Sequence, residues 1–288
     1  MKVAVIGANG VFGRHLLPRL AGAGLDVTAI VRRSDTAAVA ESCGAALRVA
    51  DLFDPDGLDA ALEGCDICIN LATSLPGPSG RGDYAVNDRV RKEGVPLLIE
   101  ACARAGIQRL VQQSIAMVGV STTGAIVDED HVWRPDGDDI ASRALQAALD
   151  MEAAVRASGL DWVILRGGLF YGPGTGFDDD WFARAAAGKL RIPGDGTDYV
   201  SLVHIADMAA ATLAAVQKWP SRQTLIVSDD APARWHDIFT YVAKVAGVPA
   251  PPNGGRIGFA SFRVCNRRAK DRLGWQPRYP DFRAGLVR

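Results

Sequence analysis

Three glycines near the start of the chain have the spacing of a phosphate-binding turn. They stand at positions 7, 10 and 13, directly after the β-branched run Lys2–Ile6, where a helical pattern of apolar residues begins. In such a turn Gly7 lets the chain reverse, Gly10 lets the backbone approach a pyrophosphate, and Gly13 lets the helix lie close to the strand. The unpaired N–H groups at the helix N-terminus attract the phosphates. This Gly-x-x-Gly-x-x-Gly spacing therefore predicts a dinucleotide site between the first strand and the first helix.

Two arginines follow the second predicted strand, residues 26–31. A site for NAD usually has a carboxylate at this point to bind the ribose 2′-hydroxyl, whereas arginine accommodates the 2′-phosphate of NADP. Asp35 lies too far along the chain to take the acidic position. Arg32 and Arg33 could also form a merely solvated strand end, but we expect them to select NADP, with NAD as the alternative.

The remaining chain alternates between strand and helix patterns. Further strands are predicted at 46–50, 67–71, 109–113, 162–166 and 224–227, and helices at 55–62, 84–105, 145–157, 204–216 and 235–245. This order predicts an α/β fold with a doubly wound parallel sheet of the Rossmann type and its ligand at the carboxyl ends of the strands. We expect residues 1–166 to form the dinucleotide-binding domain, with a return strand and helix from about 200–230. Residues 167–288 would mostly form a smaller C-terminal substrate lobe.

Composition gives no sign of a nucleic-acid partner. The 288 residues carry a net charge of −1 and a hydrophobic share of 48%, both ordinary for globular proteins. No apolar run reaches the ~18 residues of a membrane helix, and the first strand leaves no room for a signal peptide, so we expect a cytoplasmic protein. Cys65 and Cys68 have the spacing of a redox or zinc pair, but no second pair follows, so we interpret them as reduced core residues and predict no metal site.

Further motifs extend along most of the chain. They are Asp51-Leu52, Asn70-Leu-Ala-Thr73, Asn87, Val111-Gln-Gln-Ser114, Leu165-Arg166, Phe170-Tyr-Gly-Pro-Gly174, Val203-His-Ile-Ala-Asp207 and Leu273-Gly-Trp-Gln-Pro-Arg-Tyr279. With these motifs the chain resembles the short-chain dehydrogenase/reductase superfamily, specifically its extended and atypical branches, which include nucleotide-sugar epimerases and dehydratases. The resemblance implies an NAD(P)-dependent enzyme with a small-molecule substrate.

The resemblance also assigns roles to single residues. Ser114 lies where the superfamily keeps a catalytic serine or threonine, Asn87 at a position that steadies the cofactor region, and the backbone of 167–169 beside the nicotinamide. The expected cofactor-binding residues are Gly7, Asn9, Gly10, Val11, Phe12, Gly13, Arg32, Arg33, Asp51, Leu52, Leu71, Ala72, Thr73, Asn87, Gln113, Gly167 and Leu169.

The superfamily's catalytic Tyr-x-x-x-Lys pair is missing from the helix where it should stand. The tyrosine delivers a proton to the substrate oxygen, and the lysine lowers the tyrosine pKa and holds the ribose. Aligning the helix on Glu152 puts Ala144 and Ala148 at these two positions, and an alternative register puts Asp139 in place of the tyrosine. The ordinary proton donor is therefore absent in either register.

Replacement groups must be sought elsewhere in the chain. We name Ser114 and Tyr171 as candidate catalytic residues and expect the serine hydroxyl, and the tyrosine phenol with it, to face the cleft. His204, at the start of a helix, is better explained as a capping or packing residue.

Three functions remain open from the sequence. The preferred one is an NADP(H)-dependent oxidoreductase that acts on a small carbonyl or alcohol. The alternatives are an isomerase or lyase that recycles a bound cofactor, and an NADP-binding sensor without catalysis. Apolar residues beyond one stripe on the helices 87–105 and 145–157 further predict a homodimer.

Overall fold

The computed structural model describes residues 1–33, 38–78, 80, 82–121, 123–131 and 133–287. Asp35 lies outside the described residues. The strands are β1 (Lys2–Ile6), β2 (Asp26–Val31), β3 (Ala46–Val49), β4 (Ile67–Asn70), β5 (Arg109–Ile115), β6 (Asp161–Gly167), β7 (Leu169–Tyr171), β8 (Ile192–Pro193), β9 (Tyr199–Val200), β10 (Leu202–His204), β11 (Gln223–Val227), β12 (Ala233–Arg234) and β13 (Asn253–Gly255).

The helices are α1 (Val11–Gly22), α2 (Ala38–Ser42), α3 (Pro55–Leu62), α4 (Tyr84–Arg89), α5 (Val95–Arg104), α6 (Ile140–Ala157), α7 (Phe177–Ala186), α8 (Ile205–Lys218), α9 (Trp235–Val245), α10 (Arg267–Leu273) and α11 (Phe282–Gly285).

Seven strands form one central sheet in the order β11-β6-β5-β4-β1-β2-β3. Every neighbouring pair in this sheet is parallel. The order changes direction between β1 and β4, and in open parallel sheets ligands bind at that switch point, outside the carboxyl ends of the strands. The sheet confirms the predicted Rossmann-type fold.

Helices cover both faces of this sheet. On one face α1, α8 and α10 bury residues such as Leu16, Met208 and Leu273 against it. On the other face α3, α5 and α6 bury Leu58, Leu98 and their neighbours. Strands β1 and β4 are buried on both faces and consist almost wholly of apolar residues, as parallel strands covered by helices require.

One predicted helix is interrupted in the structure. Residues 84–105 were expected to be continuous, but a π-helical turn, Val90–Gly94, separates α4 from α5. The N–H of Val95 donates to the Val90 carbonyl, five residues earlier. Pro96 has no N–H to offer the carbonyl of Lys92, which weakens the regular α-helical ladder at this point.

A smaller lobe follows the sixth strand. Its short strands pair as β7 with β10, β9 with β12 and β8 with β13. Aromatic side chains fill its core, including Trp181, Trp235, Phe239, Phe262 and Phe282. The sheet takes its seventh strand from within the expected return segment, and the boundary at residue 166 stays a prediction.

Most of the apolar surplus that predicted a dimer is absorbed within the chain, and only Leu97 and Ile99 of α5 stay partly exposed among these residues. Val95, Leu98 and Met151 belong to the core beneath α5 and α6, and Leu145 and Leu149 pack against each other and Val118. The argument for a homodimer therefore loses its support.

The paired cysteines lie in the core. Cys65 and Cys68 are buried free thiols, which confirms their interpretation as core residues. Within the described part of the chain, no helix is both long enough and apolar enough to span a bilayer.

Candidate dinucleotide site and active site

The glycine turn joins β1 to α1 at the switch point of the sheet. Gly7 has φ +75°, and a Cβ there would lie 3.1 Å from the backbone nitrogen of Ala72, which follows β4. The N–H of Gly10 donates to the Gly7 carbonyl at 3.0 Å. Gly10 is exposed at the start of α1, and no side chain of the described residues caps this helix. Its N-terminus is thus open to an anion.

Gly13 is required by the close approach of helix and turn. A Cβ on Gly13 would lie 2.1 Å from the carbonyl oxygen of Ala8, so every other residue is excluded. Val11 is partly exposed and Phe12 buried on the same turn of α1. This cradle of small residues and unsatisfied N–H groups fits the pyrophosphate of a dinucleotide.

A loop of the lobe packs over this cradle. Phe170 meets Phe12 edge to face, with ring centroids 5.6 Å apart. The ring of His15 lies 2.8 Å from the Pro173 carbonyl oxygen. Gly167 ends β6 beneath this loop, where a Cβ would lie 2.6 Å from the Phe170 ring. The predicted nicotinamide segment, with the buried Leu169, therefore lies beside the start of α1.

The predicted adenosine end lies at the ends of β2 and β3. Arg32 and Arg33 are exposed immediately after β2. Asp51 accepts a hydrogen bond from the Phe53 N–H at 3.0 Å and so fixes the turn after β3, while Leu52 is buried. Two guanidinium groups at this strand end suit the 2′-phosphate of NADP.

Amide side chains hold the segment that follows β4. The Ala72 N–H donates to Asn70 Oδ1 at 3.1 Å, and the Ser74 N–H donates to Asn87 Oδ1 at 3.1 Å. Leu71 is buried and Thr73 is exposed. Asn87 is fully buried, yet its Nδ2 has no partner among the described residues. That orphaned donor suits a polar ligand at this edge of the sheet.

Ser114 does not face the cleft, so the expectation for its hydroxyl was wrong. It is 1% exposed, and its Oγ donates to Glu152 Oε1 on α6 at 2.7 Å. Strand alternation explains this, because Ser114 shares a face of β5 with Gln112, whose Nε2 lies 3.3 Å from Met151 Sδ on the same helix. Gln113, between them, is buried.

Glu152 is the centre of a buried charge network that the sequence did not reveal. Arg166 donates to it through Nε at 2.9 Å and Nη2 at 2.7 Å, and Arg156 donates through Nη2 at 2.7 Å. Burial alone would raise the pKa of Glu152, but the Arg166 guanidinium and the Ser114 hydroxyl outweigh it and hold the pKa below its ordinary value. A carboxylate so stabilised is a weak base and does not activate the serine.

Tyr171 also lies away from the cleft, contrary to expectation. Its side chain is fully buried in the lobe, and its hydroxyl donates to the Asp281 carbonyl at 3.3 Å. Burial and neighbouring carboxylates raise the pKa of Tyr171 far above its usual value. The capping role of His204, which meets Tyr171 edge to face, is confirmed because its Nδ1 accepts from the Ala206 N–H at 3.2 Å.

The positions aligned with the missing pair are buried and apolar. Ala144 and Ala148 lie on α6, and Ala148 packs with Val118 and Leu145. A neighbouring cation was missed by sequence reasoning: Arg91, on the π-helical turn, donates from Nη1 to the Ala144 carbonyl at 2.9 Å. No side chain of α6 at these two positions can move a proton.

Comparison with known proteins agrees with this geometry. Residues 7–217 match the NAD(P)H-binding family. The chain is 33% identical to a 3-diazoavenalumate denitrifying reductase of Streptomyces sp, over the full length of both proteins. It is 26% identical to a 4-hydroxy-2-methyl-3-oxo-4-farnesyl-3,4-dihydroquinoline-1-oxide ketoreductase of Stigmatella aurantiaca, over all of this chain and 85% of the relative.

A solved structure shares the whole fold. The UDP-glucose 4-epimerase of Thermus thermophilus, in complex with NAD, superposes with a TM-score of 0.81 at 22% identity and covers 99% of this chain and 96% of the epimerase. The glycine cradle, the sheet order and these matches together place the chain in the NAD(P)H-binding family.

Proposed function

We propose that the protein is an NADP(H)-dependent reductase that transfers hydride to its substrate without a tyrosine acid. One observation carries the proposal: the sheet has a glycine cradle for the dinucleotide, and α6 has buried alanines, Ala144 and Ala148, where the acid and its lysine would stand. The nicotinamide supplies the hydride when it is bound, and this chain's residues bind and orient it.

The cofactor contacts follow from the site. The N–H groups at the start of α1 would hold the pyrophosphate, and the exposed Arg32 and Arg33 would hold the 2′-phosphate. The orphaned Nδ2 of Asn87 would donate to the nicotinamide half. Ser114 and Tyr171 have no direct part, because the first braces Glu152 and the second packs the lobe.

The missing acid favours some substrates over others. A carbonyl oxygen must gain a proton as well as a hydride, and a positioned acid contributes ~10²–10⁴ in rate. A diazonium carbon needs no such proton, because the hydride pair forms the new C–H bond while the C–N pair leaves with N₂. Charge and atoms balance with one hydride. The relative that is 33% identical is named for a diazo compound and for loss of nitrogen, which supports this acceptor class.

The lobe offers a site for an anionic group of such a substrate. The guanidinium carbon of Arg263 lies 4.5 Å, and that of Arg234 5.2 Å, from the ring centroid of Tyr199. Neither arginine forms an ion pair with a carboxylate of the described residues, and the buried Nε of Arg263 has no hydrogen-bond partner among them. The Arg263 carbonyl accepts from the Val127 N–H, and Val120 forms an isolated β-bridge with Phe262. Residues 262–263 therefore lie against the segment that follows β5. An organic carboxylate would neutralise the two cations.

The other candidate functions have less support. An epimerase begins by oxidising an alcohol, which requires a base for the hydroxyl proton, and Glu152 is committed to Arg166 and Arg156. A small carbonyl remains the alternative acceptor, with water as the proton source. A sensor without catalysis would bind NADP(H) and turn nothing over.

The test is consumption of NADPH by the purified protein. The acceptors are 4-carboxybenzenediazonium and a panel of aldehydes and ketones, each corrected for the reaction without enzyme. We expect N₂ and NADP⁺ in equal amounts from the diazonium, with deuterium from labelled NADPH in the ring C–H. The variant Gly10→Val should lose the reaction. Turnover of carbonyls alone would identify a ketoreductase. NAD that stays bound to the purified protein, without turnover of NADPH, would identify an isomerase or lyase. Binding of NADP(H) without any turnover would identify a sensor.

A further inference from the structure

A buried cation lies between the π-helical turn and α6. Arg91 is 2% exposed and forms no ion pair with a carboxylate of the described residues, although Asp88 and Glu152 are near enough to favour its charge. Its only hydrogen-bond partner among the described residues is the Ala144 carbonyl oxygen, 2.9 Å from Nη1. A buried guanidinium with five N–H groups and one neutral acceptor is incompletely satisfied. Burial lowers the pKa of Arg91 to about 10, which still leaves it charged at neutral pH.

The position of this cation relates it to the missing lysine. Within α6 the Ala144 carbonyl points toward the amide of Ala148, one turn further along, so the guanidinium lies beside the turn that joins the two alanines. Asn87 is one turn before Arg91, and its Oδ1 accepts from the N–H of Ser74 in the segment that follows β4. The unpartnered Nδ2 of Asn87 and the side chain of Arg91, whose hydrogen bond among the described residues goes to Ala144, are therefore one helical turn apart on the segment that packs against α6.

We propose that Arg91 replaces the lysine from the neighbouring helix and donates hydrogen bonds to the ribose hydroxyls on the nicotinamide side of the bound dinucleotide. One donor is anchored on Ala144, which fixes the planar guanidinium, and the other N–H groups serve the ribose. Arg91 stays protonated, so it is a positioning residue and not an acid. Ala148 is small because a lysine there would bring a second cation beside the first. The inference rests on the proposed cofactor but not on the identity of the substrate.

The spacing of the buried residues explains how Arg91 comes to be buried. Arg91 lies between the exposed Arg89 and Lys92, but it stands four residues after the buried Asn87 and four before the buried Val95. It is therefore on the face of this segment that meets α6, where it binds the Ala144 carbonyl.

The test compares two ligands by calorimetry on the full chain: NADPH, and 2′,5′-ADP, which lacks the nicotinamide half. Arg91→Met should weaken NADPH about tenfold or more, as expected for lost charged hydrogen bonds, and leave 2′,5′-ADP unchanged. The double variant Arg91→Met, Ala148→Lys should recover most of the NADPH affinity. Arg89→Met is the matched control, since Arg89 is exposed and pairs with Glu93 at 2.9 Å, and it should change neither ligand.

Other results would overturn the inference. Unchanged NADPH affinity in Arg91→Met would do so, as would an equal loss for both ligands, which would indicate a distorted cradle. Thermal unfolding without ligand checks that each variant folds, and if Arg91→Met does not fold, Arg91→Gln makes the same comparison while keeping a donor for Ala144. A wild-type protein that binds neither ligand would instead remove the cofactor assignment and with it the proposed function.

Discussion

The hydroxyl of Ser114 donates to Oε1 of Glu152 at 2.7 Å, and this bond joins the end of β5 to the middle of α6. The same carboxylate receives three guanidinium N–H groups from Arg166 and Arg156. A serine that stands where the superfamily keeps a catalytic hydroxyl thus serves here as one donor in a buried ionic network. Its contribution is to stability and to the placement of α6.

Ser114→Ala should therefore lower stability more than activity. The loss of one hydrogen bond to a charged group is expected to cost about 1.5–3 kcal/mol of the free energy of unfolding. The rate of hydride transfer under saturating NADPH should change less than about threefold, well below the ~10²-fold minimum expected for a lost general acid. Urea denaturation and single-turnover kinetics measure the two effects. A hundredfold slower transfer in a protein of unchanged stability would restore Ser114 as a catalytic residue.

Glu152→Gln should be among the most destabilising single changes in the chain. It leaves Arg166, which is 1% exposed, without its counter-charge, and breaking a buried ion pair in this way typically costs about 3–5 kcal/mol. Glu93→Gln is the matched control because Glu93 forms an exposed pair with Arg89, which is worth about 0–1 kcal/mol. Denaturant midpoints that fall equally in both variants would contradict the proposed importance of the buried network.

The sequence predicted the central sheet well, because β1, β2, β4 and β6 are short apolar runs that contain β-branched residues. The strands β1 and β2 and the helix α3 begin and end where expected. The side-chain orientations at the strand ends were harder to predict. For Ser114 and Tyr171 the chain pattern located the right edge of the sheet, but which face a side chain takes depends on strand alternation and on the partners available, here Glu152 and the Asp281 carbonyl.

The burial of Arg91 was also missed. Its spacing of four residues from Asn87 and from Val95 puts it on the buried face of the helix, but a charged residue is ordinarily expected in solvent. The glycine cradle was easier to predict from the sequence. A Cβ at Gly13 would lie 2.1 Å from the Ala8 carbonyl oxygen, so the fold admits only glycine at this position.

Replacing Arg32 and Arg33 together by alanine should reverse the preference between cofactors. Each lost charged hydrogen bond to the 2′-phosphate is expected to weaken NADP binding by about 1.5–3 kcal/mol, while NAD, which lacks that phosphate, should bind as before. Calorimetric titration of both nucleotides into wild type and variant measures this. Equal affinities of the wild type for NADP and NAD would contradict the assignment.

Asp229 should make the free energy of unfolding fall as the pH rises from the acid range through the raised pKa of this carboxyl. It is buried, its Oδ2 has no partner among the described residues, and its Oδ1 accepts only the Ala231 N–H. Burial raises the pKa of Asp229 to about 8, and the carboxylates of Asp281, Asp230 and Asp207 add to this, while the Ala231 N–H opposes it.

The sign follows from which state binds the proton. A folded-state pKa above the unfolded value of ~3.9 gives a stability contribution that is fully present below that value and is lost as the pH rises through about 8. The slope is up to about 1.4 kcal/mol per pH unit. Asp229→Asn should flatten the profile of unfolding free energy between these values and raise it at alkaline pH. Parallel profiles for wild type and variant would show that Asp229 does not carry the dependence.

Arg263→Leu should reveal whether the lobe recognises an anionic substrate. Arg263 lies 4.5 Å from the Tyr199 ring with no carboxylate partner among the described residues, so its charge is available to a ligand, and leucine retains much of the apolar contact with the ring. With 4-carboxybenzenediazonium the KM should rise about tenfold or more, as expected for a lost charge-assisted bond, while kcat stays nearly constant because the hydride donor is untouched.

The methyl ester of the same acceptor supplies the control, since it has no charge to lose and should show the same KM in both proteins. Arg191→Leu, at an exposed arginine of the same lobe whose guanidinium binds the Gly188 and Leu190 carbonyls, should leave both acceptors unaffected. An equal rise in KM for acid and ester would mean that Arg263 shapes the lobe and does not bind the carboxylate.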